Sequence, residues 1–123
     1  MKNTISKLKA LSDGNRIRII NALNCSKELC ACQITELIGV TGATISRHLS
    51  ILSNVGIINK TKRGRWIYFT LNKDLKNENL IEWIINSISN SDEINEDKLR
   101  LKEILNRGKN EICRKQRGEK CCR

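Results

Sequence analysis

Proline is missing from this chain of 123 residues, and histidine occurs only once. Without proline no position forces a helix to break, and abundant lysine, glutamate, isoleucine and leucine favour helices. With one histidine the ligand spacings of structural zinc fingers are not met, so no zinc is expected. No stretch approaches the roughly 18–20 apolar residues of a membrane span, and the first four residues lack the apolar run of a signal peptide. We therefore expect a cytoplasmic chain that does not contact the membrane.

Acidic residues are missing between Glu36 and Asp74, a segment that carries six lysines and arginines. A merely solvated surface usually mixes both signs, whereas a one-signed stretch is typical of surfaces that contact phosphates. The net charge of the whole chain is +10, and residues 107–123 hold seven basic and two acidic side chains. The basic balance therefore predicts a nucleic-acid partner, with a charged tail at the C-terminal end.

The spacing of apolar residues predicts a mainly helical chain with one β-hairpin. Helices are expected over 5–11, after the N-cap Asp13, before Gly39, after the N-cap Thr41 and over 81–88. A weaker helical pattern covers 93–105. Apolar and polar residues alternate over 57–71, with a turn at Arg63 and Gly64, which predicts the hairpin.

Two helices around a glycine turn, followed by a basic hairpin, are the order of a winged helix-turn-helix. We predict that residues 1–90 form a DNA-binding and dimerisation domain and that 91–123 form a helical extension with a basic, cysteine-containing tail. The dimer is expected because Ile81, Ile84, Ile85 and Ile88 form a stripe too apolar to face water. Two helices around a glycine turn are common in other proteins, so the basic hairpin is needed for this interpretation.

The candidate DNA contacts lie on the fourth helix and on the hairpin. Thr44, Arg47 and His48 recur at i, i+3 and i+4 and are expected to point away from the apolar stripe of that helix. The tip of the hairpin is expected to lie over a neighbouring backbone or minor groove. The predicted DNA-binding residues are Thr41, Thr44, Ser46, Arg47, His48, Lys60, Lys62, Arg63 and Arg65.

Six cysteines in a reducing compartment are not expected to form structural disulfides. Cys30 and Cys32 flank the start of the third helix, where residues i and i+2 of a regular helix point about 200° apart. A soft, thiolate-seeking ion that binds both is therefore expected to unwind the first turn of this helix. The alternative is that Cys32 is a small buried apolar residue and Cys30 an idle surface thiol.

Several segments resemble the ArsR/SmtB family of metal-sensing repressors. They are 8–19 at the start, Glu28-Leu29-Cys30-Ala31-Cys32, the recognition helix over 44–52, and the wing over 64–68. The resemblance covers about residues 5–72. It implies a homodimer paired through its first and last helices and bound to a pseudo-palindromic operator ahead of a metalloid-resistance operon. It also implies release when cysteine thiolates bind trivalent arsenic or antimony.

The chain departs from the pattern of the best-known arsenic sensors, which carry a third cysteine where this chain has Thr35. The third thiolate is then expected from Cys25, from the tail, or from outside the protein. The cadmium and lead branch of the family takes cysteines from an N-terminal extension, and none precedes Cys25 here. A cadmium- or lead-responsive repressor and a thiol-redox-responsive one remain alternatives. Other members use cysteine pairs near the C-terminus, so the alternative ligands are Cys113, Cys121 and Cys122.

An enzyme is not expected from these thiols. A thiol oxidoreductase or an arsenate reductase needs a cysteine activated at a helix start, usually with a C-x-x-C spacing or a phosphate-cradling loop. Neither spacing occurs, and no histidine or carboxylate pair accompanies the cysteines. A DNA-binding protein that responds to no ligand is a further alternative, but it would leave the cysteines without a role.

Overall fold

The computed structural model describes residues 1–74, 77–108 and 112. This part of the chain contains six helices and three strands. They are α1 (Lys2–Leu11), α2 (Gly14–Cys25), β1 (Leu29–Cys30), α3 (Ala31–Ile38), α4 (Gly42–Asn54), β2 (Ile58–Arg63), β3 (Trp66–Leu71), α5 (Glu78–Ile88) and α6 (Asp92–Arg107). None of the helices in the described residues is long and apolar enough to cross a membrane.

The helix boundaries are where the capping residues predict them. The side chain of Asp13 accepts a hydrogen bond from the Arg16 N–H at 3.0 Å, so it caps the start of α2. Gly39 ends α3 with a φ of 83°, a left-handed conformation that favours glycine. Thr41 Oγ1 accepts from the Thr44 N–H at 3.2 Å and caps α4. The short turn between α3 and α4 is therefore fixed by the residues at its two ends.

The sheet has three antiparallel strands in the order β1-β3-β2. Arg63 pairs with Trp66, so Gly64 and Arg65 form the hairpin turn, one residue later than predicted. The two-residue strand β1 was not predicted, and it pairs Leu29 with Phe69 and Cys30 with Tyr68. Because β3 is the central strand, Tyr68 is buried, which a simple alternation of apolar and polar residues does not predict.

Helix α6 packs against α2 and α3. Arg18 donates to both carboxylate oxygens of the buried Asp97, from Nε and from Nη2, each at 2.9 Å. Arg100 Nη1 donates to the Leu37 carbonyl near the end of α3 at 2.7 Å. Ile104 and Ile112 are fully buried in the common core. Helix α6 is therefore attached to the helix-turn-helix by an ion pair, by a hydrogen bond to the Leu37 carbonyl and by apolar contacts.

The prediction that His48 lies on the exposed face of α4 is wrong. Only 6% of this residue is exposed, and its Nδ1 lies 3.1 Å from Nη1 of Arg16. Nε of the same arginine donates to the Ala10 carbonyl at the end of α1 at 2.6 Å. His48 therefore joins α4 to α1 and α2, and it presents no ring to a DNA groove.

We expect Asp97→Asn to lower the free energy of unfolding by about 3 kcal/mol, because it leaves the largely buried Arg18 guanidinium without its buried counter-charge. Glu93→Gln is the matched control, since this exposed carboxylate lies 3.4 Å from the same guanidinium. It should cost less than about 0.5 kcal/mol. Urea denaturation measures both variants, and equal losses would contradict the role given to the buried pair.

The stability of the fold should depend on the protonation of His48. Burial is the main cause that lowers the pKa of His48 below 6.5; the charges of Arg16 and Arg47 also lower it, and Asp13 opposes them. The folded chain then binds this proton less readily than the unfolded chain. The contribution to stability is therefore complete above about pH 6.5 and is lost as the pH falls below that value.

His48→Asn should flatten this dependence between about pH 7.5 and about pH 5.5 in urea denaturation. His48 is the only histidine in the chain, so its ring protons can be followed by NMR without ambiguity. A titration midpoint at or above 6.5 would show that the buried contact with Arg16 does not disfavour the charged ring.

Candidate nucleic-acid interface and thiol pair

One face of α4 is open to solvent and lies opposite the buried Ile45 and Leu52. Its exposed residues recur at positions 43, 46, 47, 50 and 54, which lie along one narrow stripe of a helix. The side chains are small or polar, with one arginine. They are Ala43, Ser46, Arg47, Ser50 and Asn54. Of these, the sequence prediction contained only Ser46 and Arg47.

The exposure of the three missed residues could have been predicted from the sequence. Once Ile45, Leu49 and Leu52 are assigned to the core, the opposite side of the helix follows from its period. The predicted Thr41 and Thr44 are instead at the N-terminal end of α4, where their Oγ1 atoms lie 2.9 Å apart. Both contribute to the cap, and the exposed Thr41 borders the solvent-facing stripe.

The wing, formed by β2, its turn and β3, exposes Lys60, Lys62, Arg63 and Arg65 as predicted. Arg65 lies over the ring of Trp66, with its guanidinium carbon 5.5 Å from the centroid. Arg63 lies over the ring of Tyr68 at 4.1 Å and forms an ion pair with Glu28. The guanidinium of Arg63 therefore already has two protein partners, and nothing in the sequence pattern predicted the role of Glu28.

Cys30 and Cys32 lie together at the junction of β1 and α3. Cys30 is the last residue of β1 and the N-cap of α3, with an extended φ of −91° and ψ of 165°. Its Sγ is 3.2 Å from Sγ of Cys32. The prediction that α3 must unwind to bring the two sulfurs together is wrong, because Cys30 is not helical.

The thiol pair is buried and well supported. Cys30 is 0% exposed and Cys32 is 3% exposed. The side-chain oxygen of Gln33 accepts from the Cys30 N–H at 2.9 Å, which closes the first turn of α3. Because Cys30 also pairs with Tyr68 of the central strand, one member of the pair belongs to the same sheet as the wing, while Cys32 lies in the first turn of α3.

The other cysteines are not brought to this pair by the described residues. Cys25 is exposed at the end of α2. Within residues 1–74, 77–108 and 112, no group of three histidine, cysteine, aspartate or glutamate side chains lies close enough to hold a metal ion. Cys113, Cys121 and Cys122, the alternative ligands, lie outside the described residues. The described part of the chain therefore supplies two cysteine sulfurs to one site. Cys30 is a free cysteine, whereas Cys32 is disulfide-bonded, contrary to the expectation that the cysteines form no disulfide.

Comparison with known proteins places this arrangement in a family. Residues 13–60 match the model of the bacterial regulatory proteins of the arsR family. The chain is 40% identical over 78 residues to the cadmium resistance transcriptional regulatory protein CadC of Listeria innocua, a match that covers 63% of this chain and 65% of that protein. It is 38% identical over 76 residues to the arsenical resistance operon repressor of Bacillus subtilis, covering 62% and 72% respectively.

A solved structure has the same fold. Reduced HlyU from Vibrio cholerae superposes with a TM-score of 0.60 at 22% identity, covering 69% of this chain and 87% of that one. This likeness confirms the predicted winged helix-turn-helix. The family is one of regulatory proteins, in agreement with the prediction of a regulator rather than an enzyme. The chain belongs to the arsR family of bacterial regulatory proteins.

Proposed function

We propose that this protein is a DNA-binding repressor of a metalloid-resistance operon that is released when Cys30 and Cys32 bind trivalent arsenic or antimony. The observation that carries the proposal is the buried cysteine pair, with 3.2 Å between its sulfurs and with Cys30 in the sheet that also forms the wing. Both parts of the proposal, DNA binding and ligand capture, thereby involve residues of one sheet.

The DNA-binding part of the proposal rests on the stripe of α4 and on the wing. Small polar residues and Arg47 on α4 suit base edges in a major groove, while the lysines and arginines of the wing suit phosphates. No carboxylate lies in the sequence from the end of α3 to the end of the wing. Phosphates that approach this surface therefore meet no like charge from these elements.

The choice of ligand follows from the donors. Two adjacent sulfurs suit a thiophilic ion, and a third thiolate would come from the tail or from a small thiol in solution. His48 is buried against Arg16, so the chain's one imidazole is not a donor for zinc at this site. The second candidate is a cadmium response, which the 40% identity to a cadmium resistance regulator favours.

Release follows from the burial of the pair. A ligand reaches Cys30 and a reduced Cys32 only when the packing around them opens, because neither sulfur is open to solvent. The proposed place of opening is the pairing of β1 with β3 at the start of α3. Ligand capture therefore selects the opened form of this junction. The opened form disturbs the pairing of Cys30 with Tyr68, and through it the position of the wing. A tenfold loss of operator affinity needs a coupling free energy of about 1.4 kcal/mol.

The proposed homodimer uses apolar residues that a single chain leaves exposed. Ile5 and Leu8 of α1 are 44% and 55% exposed, and Trp83 of α5 is 67% exposed. Lys7 Nζ donates to the Asn77 side chain at 2.9 Å, which holds α1 near the start of α5. Ile81 and Ile84, predicted to be buried against the first helix and a partner subunit, are already buried within one chain. Two copies would present their α4 helices to half-sites about 34 Å apart.

Cys30→Ser and Cys32→Ser should each keep the operator affinity of the ligand-free protein while abolishing release by arsenite, because each removes one of two thiolates. Cys25→Ser is the matched control within the described residues, since its thiol is exposed and not part of the pair. The measurement is operator binding, followed by fluorescence anisotropy, with increasing arsenite, antimonite, cadmium or peroxide.

Three outcomes would contradict this assignment. Full arsenite release from the Cys30→Ser, Cys32→Ser double variant would move the sensor to Cys113, Cys121 and Cys122. Release by cadmium at much lower concentration than by arsenite would favour the cadmium response. Release by peroxide alone would make the pair a redox switch.

Leu8→Glu should give a monomer with native helix content and reduced operator affinity, because it places a charge in the proposed apolar interface. Asn3→Glu introduces the same charge on the opposite side of α1 and should stay dimeric. Sedimentation velocity measures both, and a dimeric Leu8→Glu variant would place the interface elsewhere.

A further inference from the structure

A polar groove of about 250 Å³ lies between α4 and the wing. Its polar lining comes from Ser46, Ser50, Ser53 and Asn54 of α4 and from Lys60 of β2. None of the residues that line it is acidic. The first residue of α3, Ala31, also lines it, so the positive end of that helix borders the groove.

One buried hydroxyl in this groove has no partner. Ser53 Oγ is shielded from solvent and makes no hydrogen bond within the described structure. A serine inside a helix usually donates to the carbonyl four residues earlier, and a buried polar atom without a partner is uncommon. The Ser53 hydroxyl therefore lacks a partner among the described residues of the free protein, and it gains one only where the groove opens enough to admit an acceptor oxygen.

We infer that this groove binds one phosphate of the DNA backbone in each half-site, an inference that rests on the proposed DNA binding. A sugar–phosphate strand separates each major groove from the next minor groove. A protein that places α4 in one and the wing in the other must straddle that strand. Lys60 supplies the charge and the hydroxyls of Ser50 and Ser53 supply donors, which together match a phosphate.

The groove also gives the thiol pair a second route to the DNA. Ala31 stands between Cys30 and Cys32 in the sequence and forms part of the groove wall. Opening of the β1–α3 junction therefore moves a wall of the phosphate site as well as the strand that supports the wing. Both effects weaken the same contact with DNA.

Ethylation interference on an operator selected from random duplexes by the full chain tests the inference. Wild-type protein should show interference at one phosphate between the major and minor groove contacts of each half-site. Lys60→Gln should lose interference at that phosphate and reduce the slope of log affinity against log salt by about 1.8, which is about 0.9 for each of the two half-sites. Lys62→Gln is the matched control, since it removes the same charge from the same strand but does not line the groove. It should leave that interference in place.

Ser53→Ala gives an independent test, because it should weaken operator binding without lowering stability. It removes an unsatisfied buried hydroxyl, so it should not lower the midpoint of thermal unfolding. It should weaken operator binding about tenfold, because a hydrogen bond to a charged phosphate is lost. Ser87→Ala on α5, far in sequence from the groove, should change neither quantity.

The results separate this inference from the proposed function. Wild-type protein that selects no duplex would remove the proposed DNA binding itself. Normal operator binding with unchanged interference in Lys60→Gln and wild-type affinity in Ser53→Ala would overturn the phosphate site alone. Saturable NMR shifts of the Ser50 and Ser53 amides with inorganic phosphate below about 1 mM, without DNA, would assign the groove to a free anion instead.

Discussion

The pairing of the two-residue strand β1 with β3 is the contact on which the rest of this account depends. It places Cys30 opposite Tyr68 in the central strand of the wing sheet. The same short strand leads directly into α3, so Cys30 also caps that helix. Without this pairing, the thiol pair would lie in a surface loop. Its ligands would then lack the connection to the wing that this pairing provides.

A strand of two residues suits a switch because only two residues have to leave the sheet. A backbone hydrogen bond contributes about 1 kcal/mol net, and the coupling needed for tenfold release is of the same size. Glu28 adds an ion pair to Arg63 at the wing tip, and Gln33 adds a bond to the Cys30 N–H. The junction is thus closed by a few polar contacts and by the fully buried side chain of Leu29. Under the proposed function, one thiophilic ligand must outweigh these contacts.

Local chemistry accounts for the part of the fold that the sequence predicts well. Asp13, Gly39 and Thr41 act through hydrogen bonds or backbone conformations within three or four residues, so the helix-turn-helix and its limits were predictable. The wing was predicted from the alternation of apolar and polar residues and from a turn that contains glycine. Cys30 and Cys32 were identified from their spacing, but the extended conformation of Cys30 depends on a partner strand almost forty residues away. Its geometry was therefore predicted wrongly.

The prediction that His48 is exposed was wrong for a similar reason. Its position on α4 is compatible with an exposed face by period alone, yet Arg16 reaches it from α2 while binding the end of α1. Glu28 and the groove beside Lys60 likewise depend on contacts between distant segments. Residues that serve one helix were predictable, whereas residues that join two elements required the structure.

Hydrogen–deuterium exchange of the protein with and without arsenite tests the central claim, that ligand capture opens the β1–β3 pairing. Peptides covering residues 26–33 and 66–72 should exchange at least about tenfold faster with arsenite, since the opened junction loses its protection. Peptides from the core of α2 should not change, and Cys30→Ser should abolish the difference. Unchanged protection of both segments under conditions in which arsenite releases the operator would contradict the account.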